Sequence, residues 1–195
     1  MATTSIETGT EFKTVTAEVL TPEAFAPFGE VLSIDGQDRL PIDLYGDRID
    51  VFRPALIYAD TPIEWLLVRS RIREFRVHFL ERHEELAQTF IPLAGHPFVS
   101  VVARPDAREE DGMPAFDEVH AFIVPGDRGI QIHKRTWHEP PFPLVDGGLC
   151  LITSHRALTA GLGSKLDEKR EIHQLDVDKR NITERTGYVL KVQLP

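Results

Sequence analysis

Hydrophobic residues in this chain recur at alternate positions or in short runs, and turns rich in Gly and Pro separate them. Side chains of a β-strand alternate between two faces, so this pattern predicts strands. The predicted strands are 14–19, 30–34, 52–59, 73–81, 90–93, 98–103, 120–124, 130–133, 144–145, 149–153 and an edge strand at 188–194. Many short strands with few helix signals indicate a mainly β sandwich or barrel.

The clearest helix signal lies at Thr21-Pro22, an N-cap residue followed by a proline at the first helical position. Residues 161–185 are dense in charge, which favours a solvated helix or tail over a binding segment. We therefore expect a flexible arm at 1–13, one catalytic domain at 14–160, and a C-terminal extension at 161–195 that packs on or extends the barrel.

The composition is that of a soluble globular protein, with 195 residues, 42% hydrophobic and 27% charged. A net charge of −9 disfavours nucleic acid as a partner, whereas a small anionic substrate still suits a locally basic pocket. No apolar run reaches the roughly 20 residues that span a bilayer, and no secretory signal is seen, so we expect a cytoplasmic protein without membrane contact. Cys150 lies in an apolar run, where a buried, unreactive thiol is expected.

Candidate chemistry concentrates in two segments about fifty residues apart. In the first, Glu81 and His83 stand two residues apart on a strand, which directs both to one face, and Gln88 follows. In the second, a Gly-rich turn leads to His133. The inward face of a small β-barrel lines its cavity, so we expect His83 and His133 to converge there.

His133 and His138 are five residues apart and flank Trp137. An imidazole titrates near neutral pH and acts as acid or base. The indole of Trp137 suits either a pocket wall or a structural aromatic corner. The histidines at 78, 96, 120, 155 and 173 are interpreted as structural.

Glu81, His83, Gln88 and the turn before His133 resemble the two cupin motifs in spacing, with Glu81 and Gln88 departing in residue type. The chain also resembles the ureidoglycolate lyases in residues 20–31, 81–93 and 121–138. This resemblance covers roughly residues 15–156 and implies a cupin-like β-barrel of the jelly-roll type with a few short helices, usually in a homodimer. It also implies a lyase that cleaves (S)-ureidoglycolate to glyoxylate and urea in allantoin and purine catabolism.

The resemblance suggests roles for individual residues. His133 or His83 would be the base and His138 the acid, while Gln88 would hydrogen-bond the ureido group or a metal-bound water. Arg48 or Arg53 would hold the substrate carboxylate, with Trp137 beside it. A divalent metal such as nickel or manganese would be held by His83, Gln88 and His133.

Two positions depart from the family pattern: Glu139 stands where a further His is common, and His155-Arg156 stands where an Asp-Arg pair is usual. Two alternatives therefore stay open. One is a related cupin enzyme, a metal-dependent lyase or hydrolase acting on another small carboxylate or amide. The other is a non-catalytic cupin that binds a small ligand.

Overall fold

The structure is a computed structural model that describes residues 11–42 and 48–195. Its strands are β1 (Glu11–Val19), β2 (Gly29–Leu32), β3 (Ile63–Ser70), β4 (Arg76–Val77), β5 (Phe79–Arg82), β6 (Thr89–Pro92), β7 (Phe98–Ala103), β8 (Glu109–Glu110), β9 (Met113–Pro114), β10 (Val119–Val124), β11 (Gly129–Ile132), β12 (Trp137–His138), β13 (Phe142–Pro143), β14 (Gly148–His155), β15 (Ile172–Gln174), β16 (Val177–Asn181) and β17 (Tyr188–Gln193). The helices are α1 (Pro22–Phe25), α2 (Arg156–Leu162) and α3 (Ile182–Thr186), with a 3-10 turn at Phe116–Glu118. Within the described ranges, every helix is too short or too polar to cross a membrane.

The fold consists mainly of two β-sheets. The larger, ten-stranded sheet has the order β15-β16-β5-β12-β7-β10-β1-β17-β4, with β13 pairing with β7. The smaller, five-stranded sheet has the order β2-β11-β6-β14-β3. The larger sheet curls strongly, so the molecule is mainly β and its fold is consistent with a cupin-like β-barrel, which confirms the predicted fold class.

The core has a layer on each face of the larger sheet. All six residues of β7 are buried. Val101 belongs to one apolar cluster, whereas Val102 packs in a second cluster with Phe90 of β6 and Ile130 of β11. Neighbouring residues on a strand face opposite ways, so the second cluster lies between the two sheets.

Most predicted strands are present within a few residues of their expected ends, and the predicted N-cap is confirmed, since Thr21 Oγ1 accepts a hydrogen bond from Ala24 N at 3.2 Å. Residues 52–59 are an exception, because the structure contains no strand there. The run is apolar, but Pro54 lacks an N–H for a ladder and Tyr58 is largely exposed. Residues 144–145 are not a strand either, since β13 ends just before them. Strand β3 was not predicted.

The predicted strand 73–81 is divided at His78. β4 pairs with β17 on one side of the break, and β5 pairs with β12 and β16 on the other. The carbonyl of His78 accepts a hydrogen bond from Ile182 N at the break. The division places β5 between two neighbours, one of which comes from the C-terminal part of the chain.

Residues 161–185 are not a solvated helix or tail. They contain β15, β16 and the start of α3. Glu171 is buried there, where its carboxylate accepts hydrogen bonds from Arg185 Nε at 2.6 Å and Arg185 Nη2 at 2.7 Å. The charge of Glu171 is therefore neutralised by Arg185 inside the fold, whereas residues 165–170 are exposed and lie before β15.

Candidate active site

The polar side chains that converge inside the barrel are organised around Glu81 on β5. His138 on β12 pairs directly with Glu81 on one side, and Lys179 on β16 pairs with it on the other. Residues that pair directly across strands point to the same face. His138 packs edge-on against Phe90 of the smaller sheet, with ring centroids 5.9 Å apart, so this face looks into the space between the sheets.

His83 and His138 are two buried imidazoles with the same tautomer. The Nδ1–H of His83 donates to the Asp176 carbonyl at 2.7 Å, and the Nδ1–H of His138 donates to the Thr136 carbonyl at 3.0 Å. A carbonyl only accepts, so the lone pair of each ring lies on Nε2. Both Nε2 atoms are buried and have no hydrogen-bond partner among the residues that the structure describes. The ring centroids of the two histidines are 5.1 Å apart.

Glu81 is held ionised beside them. Burial acts to raise the pKa of Glu81, but Lys179, followed by His138 and His83, lowers it below its ordinary value. The ammonium of Lys179 donates to Glu81 Oε2 at 2.9 Å, while Oε1 lies 3.7 Å from His138 Nε2, too far for a hydrogen bond. Burial and the neighbouring His83 lower the pKa of His138 to about 4, so this ring is neutral at neutral pH.

Glu139 adds a second buried carboxyl group. Its Oε1 lies 3.1 Å from Arg73 Nη2, whereas its Oε2 is buried and has no hydrogen-bond partner within residues 11–42 and 48–195. Burial raises the pKa of Glu139 to about 7, against the lowering effect of Arg73 and Lys179. Glu139 therefore carries a proton for part of the time at neutral pH. The guanidinium of Arg73, partly exposed, connects the cluster to solvent.

Glu81, His83 and His138 form a group that fits a metal ion. One ligand atom from each lies within 4.8 Å of the others. Imidazole nitrogens with a carboxylate suit first-row divalent metals. The Nδ1–H bonds to backbone carbonyls are also the usual support for metal-binding histidines. The chemistry of this donor set is therefore that of a divalent cation site.

Comparison with known proteins places the chain in a family. Residues 12–160 match the family model for ureidoglycolate lyase. A ureidoglycolate lyase of Pseudomonas fluorescens strain Pf0-1 is 33% identical over 161 residues, which cover 80% of this chain and 90% of the relative. The chain belongs to the ureidoglycolate lyase family. Two further relatives named ureidoglycolate lyase agree with this assignment. The one from Stutzerimonas stutzeri strain A1501 is 32% identical, and the match covers 88% of this chain and 99% of the relative. The one from Pseudomonas savastanoi pathovar phaseolicola strain 1448A / Race 6 is 34% identical, and the match covers 77% of this chain and 86% of the relative.

The structure of this ureidoglycolate lyase family member brings His83 and His138 together, but not His133. The ring of His133 is directed to Glu30, with Nε2 3.0 Å from Oε1, and its side chain is 41% exposed. Gln88 is buried, and its backbone carbonyl accepts a hydrogen bond from Ile132 N at 2.9 Å. The sequence spacing paired His83 with His133, whereas the structure places His138 beside His83 and directs His133 to Glu30.

The other predicted substrate-binding residues lie apart from this cluster. Arg48 and Arg53 are exposed on the segment between β2 and β3. Trp137 is fully buried in the apolar cluster on the opposite face from His138, where the guanidinium of Arg82 lies 4.2 Å and that of Arg180 4.9 Å from its ring. This position agrees with the structural reading of Trp137 rather than with a pocket wall.

Four residues of the cluster were not predicted as site residues from the sequence: Lys179, Arg73, Asp176 and Glu139, the last noted only as a departure from the family pattern. Lys179 and Asp176 lie beyond residue 160, where the match to the family model ends. Arg73 is the first residue of the predicted strand 73–81. Its contact with Glu139 places it beside the cluster, and the sequence pattern does not reveal this contact.

Proposed function

We propose that this protein is a ureidoglycolate lyase that cleaves the C–N bond of (S)-ureidoglycolate to give glyoxylate and urea, in allantoin and purine catabolism. The observation that carries the proposal is the buried group of Glu81, His83 and His138, with two free Nε2 atoms beside an ionised carboxylate. Membership of the ureidoglycolate lyase family supports the choice of substrate.

The reaction needs a base and an acid but no redox change. The reacting carbon of ureidoglycolate carries a hydroxyl, a carboxylate and the ureido nitrogen. The base removes the hydroxyl proton, the C–O bond becomes the C=O of glyoxylate, and the electron pair of the C–N bond leaves with nitrogen. The acid then protonates that nitrogen, and urea departs.

The substrate carboxylate is best matched by Arg73 and Lys179, since both cations border the cluster. We propose these two residues in place of Arg48 and Arg53, which are exposed on the segment between β2 and β3. A guanidinium binds a carboxylate through two parallel hydrogen bonds, and the ammonium adds a point charge. Gln88 remains the predicted partner of the ureido group.

For proton transfer we propose His83 as the base and Glu139 as the acid. The Nε2 lone pair of His83 is fixed by the bond from its Nδ1–H, whereas His133 pairs with Glu30 outside the group. His138 has a pKa of about 4 and holds no proton to give at neutral pH. The pKa of Glu139 is about 7, which is near the optimum for an acid working at neutral pH.

We further propose that Glu81, His83 and His138 hold a divalent cation such as nickel or manganese. Glu81 and His138 replace the predicted ligands Gln88 and His133 because their ligand atoms converge with that of His83. When bound, such a cation polarises an oxygen of the substrate and lowers the pKa of its hydroxyl. In the cation-free protein, the Nε2 of His83 takes that proton.

The homodimer also remains a proposal, and β3 is the surface that suits it. β3 is an edge strand of the smaller sheet, and Trp65 and Leu67 on it are 58% and 71% exposed. Two copies of an edge strand pair antiparallel about a twofold axis. Size-exclusion chromatography with light scattering should give twice the 22.0 kDa chain mass, and Leu67→Lys should reduce it to the monomer.

The direct test of the proposed function is release of glyoxylate and urea from racemic ureidoglycolate, with and without added Ni²⁺ or Mn²⁺. We expect the two products in equal amounts, and consumption that stops when the (S) enantiomer is exhausted. Heat-denatured protein measures spontaneous decay of the substrate. Absence of product above that decay under every metal condition would contradict the proposal.

A further inference from the structure

Asp176 lies at the turn between β15 and β16 and is fixed from several sides. Gln174 pairs with Val177, so Leu175 and Asp176 form a two-residue turn. The side chain of Asp176 is 1% exposed. Its Oδ1 accepts hydrogen bonds from Glu84 N at 2.6 Å and Glu85 N at 3.1 Å. Its position is therefore tied to the loop that directly follows His83.

The other carboxylate oxygen of Asp176 contacts a second buried residue. The Nε2 of His155 lies 2.7 Å from Asp176 Oδ2, and the His155 side chain is 2% exposed. A buried carboxylate is stabilised only when hydrogen bonds replace its water shell, and these contacts do so here. His155, a departure from the family pattern, is thus part of the support for this turn.

The backbone of the same residue reaches the proposed active site. The carbonyl oxygen of Asp176 accepts the Nδ1–H of His83 at 2.7 Å. This bond determines which ring nitrogen of His83 carries the hydrogen, and it leaves Nε2 with the lone pair. The carboxylate of Asp176 therefore holds the turn, and the turn's carbonyl holds the tautomer of His83.

The conformation of Leu175 shows that the turn is imposed by its surroundings. Leu175 has φ 54°, in the left-handed region that is sterically unfavourable for a residue other than glycine. Its side chain is 66% exposed, so packing of that side chain does not offset the cost. Strained backbone persists where neighbouring contacts over-determine it, and here those contacts are the bonds of Asp176.

We propose that Asp176 is a positioning residue for the reaction: its carboxylate anchors the β15–β16 turn so that the turn's carbonyl fixes His83 with a free Nε2. The kinetic part of this inference rests on the proposed function, whereas the structural part does not. Because Asp176 acts through His83, its loss should reduce kcat more than it raises KM.

The experiment compares Asp176→Ala, Asp176→Asn and the control Asp178→Asn. Asn retains an oxygen that accepts the two backbone N–H bonds, so it should restore much of what Ala loses. Asp178 lies two residues along the chain and is ion-paired with Arg82 and Arg180, on the other face of β16 from Lys179. Each variant is labelled with ¹⁵N-histidine, and the imidazole signals of His83 are assigned by their absence in His83→Gln.

We expect wild type, Asp176→Asn and Asp178→Asn to show His83 protonated at Nδ1, and Asp176→Ala to show a mixture of tautomers. In the cleavage assay, Asp176→Ala should lose roughly 10–100-fold in kcat, as is typical when the support of a functional histidine is removed. An unchanged His83 signal in Asp176→Ala would overturn the inference. If Asp176→Ala does not fold, the two Asn variants decide. In that case a His83 signal that shifts in Asp178→Asn but not in Asp176→Asn would overturn the inference. An inactive wild type would refute the proposed function alone, because the tautomer measurement does not depend on turnover.

Discussion

Replacing Lys179 with Met tests the electrostatics of the cluster most sharply. Lys179 donates to Glu81 at 2.9 Å, and the side chains are 17% and 7% exposed. Removing one partner of a buried ion pair leaves an uncompensated charge and typically costs about 3–5 kcal/mol. Because Lys179 is partly exposed, we expect the lower end, about 3 kcal/mol of unfolding free energy at neutral pH.

The pH dependence of this loss has a definite sign. In the wild type, the pKa of Glu81 lies below its ordinary value, so ionised Glu81 contributes stability above that value. In Lys179→Met, burial is no longer opposed by the ammonium and raises the pKa of Glu81. The ionised form then destabilises the variant as pH rises, and the difference from wild type should shrink as pH falls and Glu81 binds a proton.

Urea unfolding at neutral and mildly acidic pH, followed by tryptophan fluorescence, measures this difference. Lys165→Met is the matched control, because Lys165 is exposed, and it should change stability by less than about 0.5 kcal/mol. The double variant Lys179→Met with Glu81→Gln should recover most of the loss. A Lys179→Met variant as stable as Lys165→Met at neutral pH would refute the view that Glu81 is buried and ionised.

Three further predictions follow from the same contacts. Glu139→Gln should lower kcat by about 10²-fold or more with a smaller change in KM, measured by glyoxylate release, since Gln has no proton to donate; an unchanged kcat would exclude Glu139 as the acid. Ni²⁺ or Mn²⁺ at a hundredfold excess over its Kd should stabilise the wild type by about 2.7 kcal/mol in thermal unfolding, and Glu81→Gln should lose this effect while His133→Gln keeps it. Burial opposes ionisation of Glu171, but the hydrogen bonds from Arg185 hold the pKa of Glu171 at about 2. The substitution Glu171→Gln should therefore lower the free energy of unfolding by about 3 kcal/mol at neutral pH. That cost should disappear between about pH 4.5 and pH 2 as wild-type Glu171 binds a proton, and a pH-independent difference would contradict this explanation.

Strands buried on both faces were predictable because their sequences are apolar throughout. Residues 98–103 are all buried in β7, and this strand was predicted with its observed ends. Residues 52–59 are similarly apolar, but Pro54 removes a donor and the segment joins neither sheet. Composition therefore identified apolar segments, whereas strand formation depended on whether a neighbour was available for pairing.

The period-2 pattern located part of the candidate site. It placed Glu81 and His83 on one face, and the structure places them together in the buried group. It paired His83 with His133, whereas His133 lies beside Glu30 in the structure and His138 lies beside His83. The period-2 pattern is local, so it does not contain information on contacts between residues that are distant in sequence.

The remaining site residues come from contacts that are distant in sequence. Lys179 meets Glu81 across 98 positions, and Asp176 meets His83 across 93. Both lie in a stretch whose charge density resembles a solvated surface. Within the fold, Lys179 is ion-paired with Glu81 and Asp176 is hydrogen-bonded to His155, and a local reading of the sequence does not show such pairing.

The most direct test of the account is a comparison of His138→Gln with His133→Gln in the ureidoglycolate assay. The account places catalysis in the buried group around Glu81, so His138→Gln should lose about 10²-fold or more in kcat/KM, and His133→Gln should stay within about threefold of wild type. Circular dichroism and thermal unfolding of both variants establish that they are folded. Near-normal turnover by folded His138→Gln, together with a large loss in His133→Gln, would contradict the central claim.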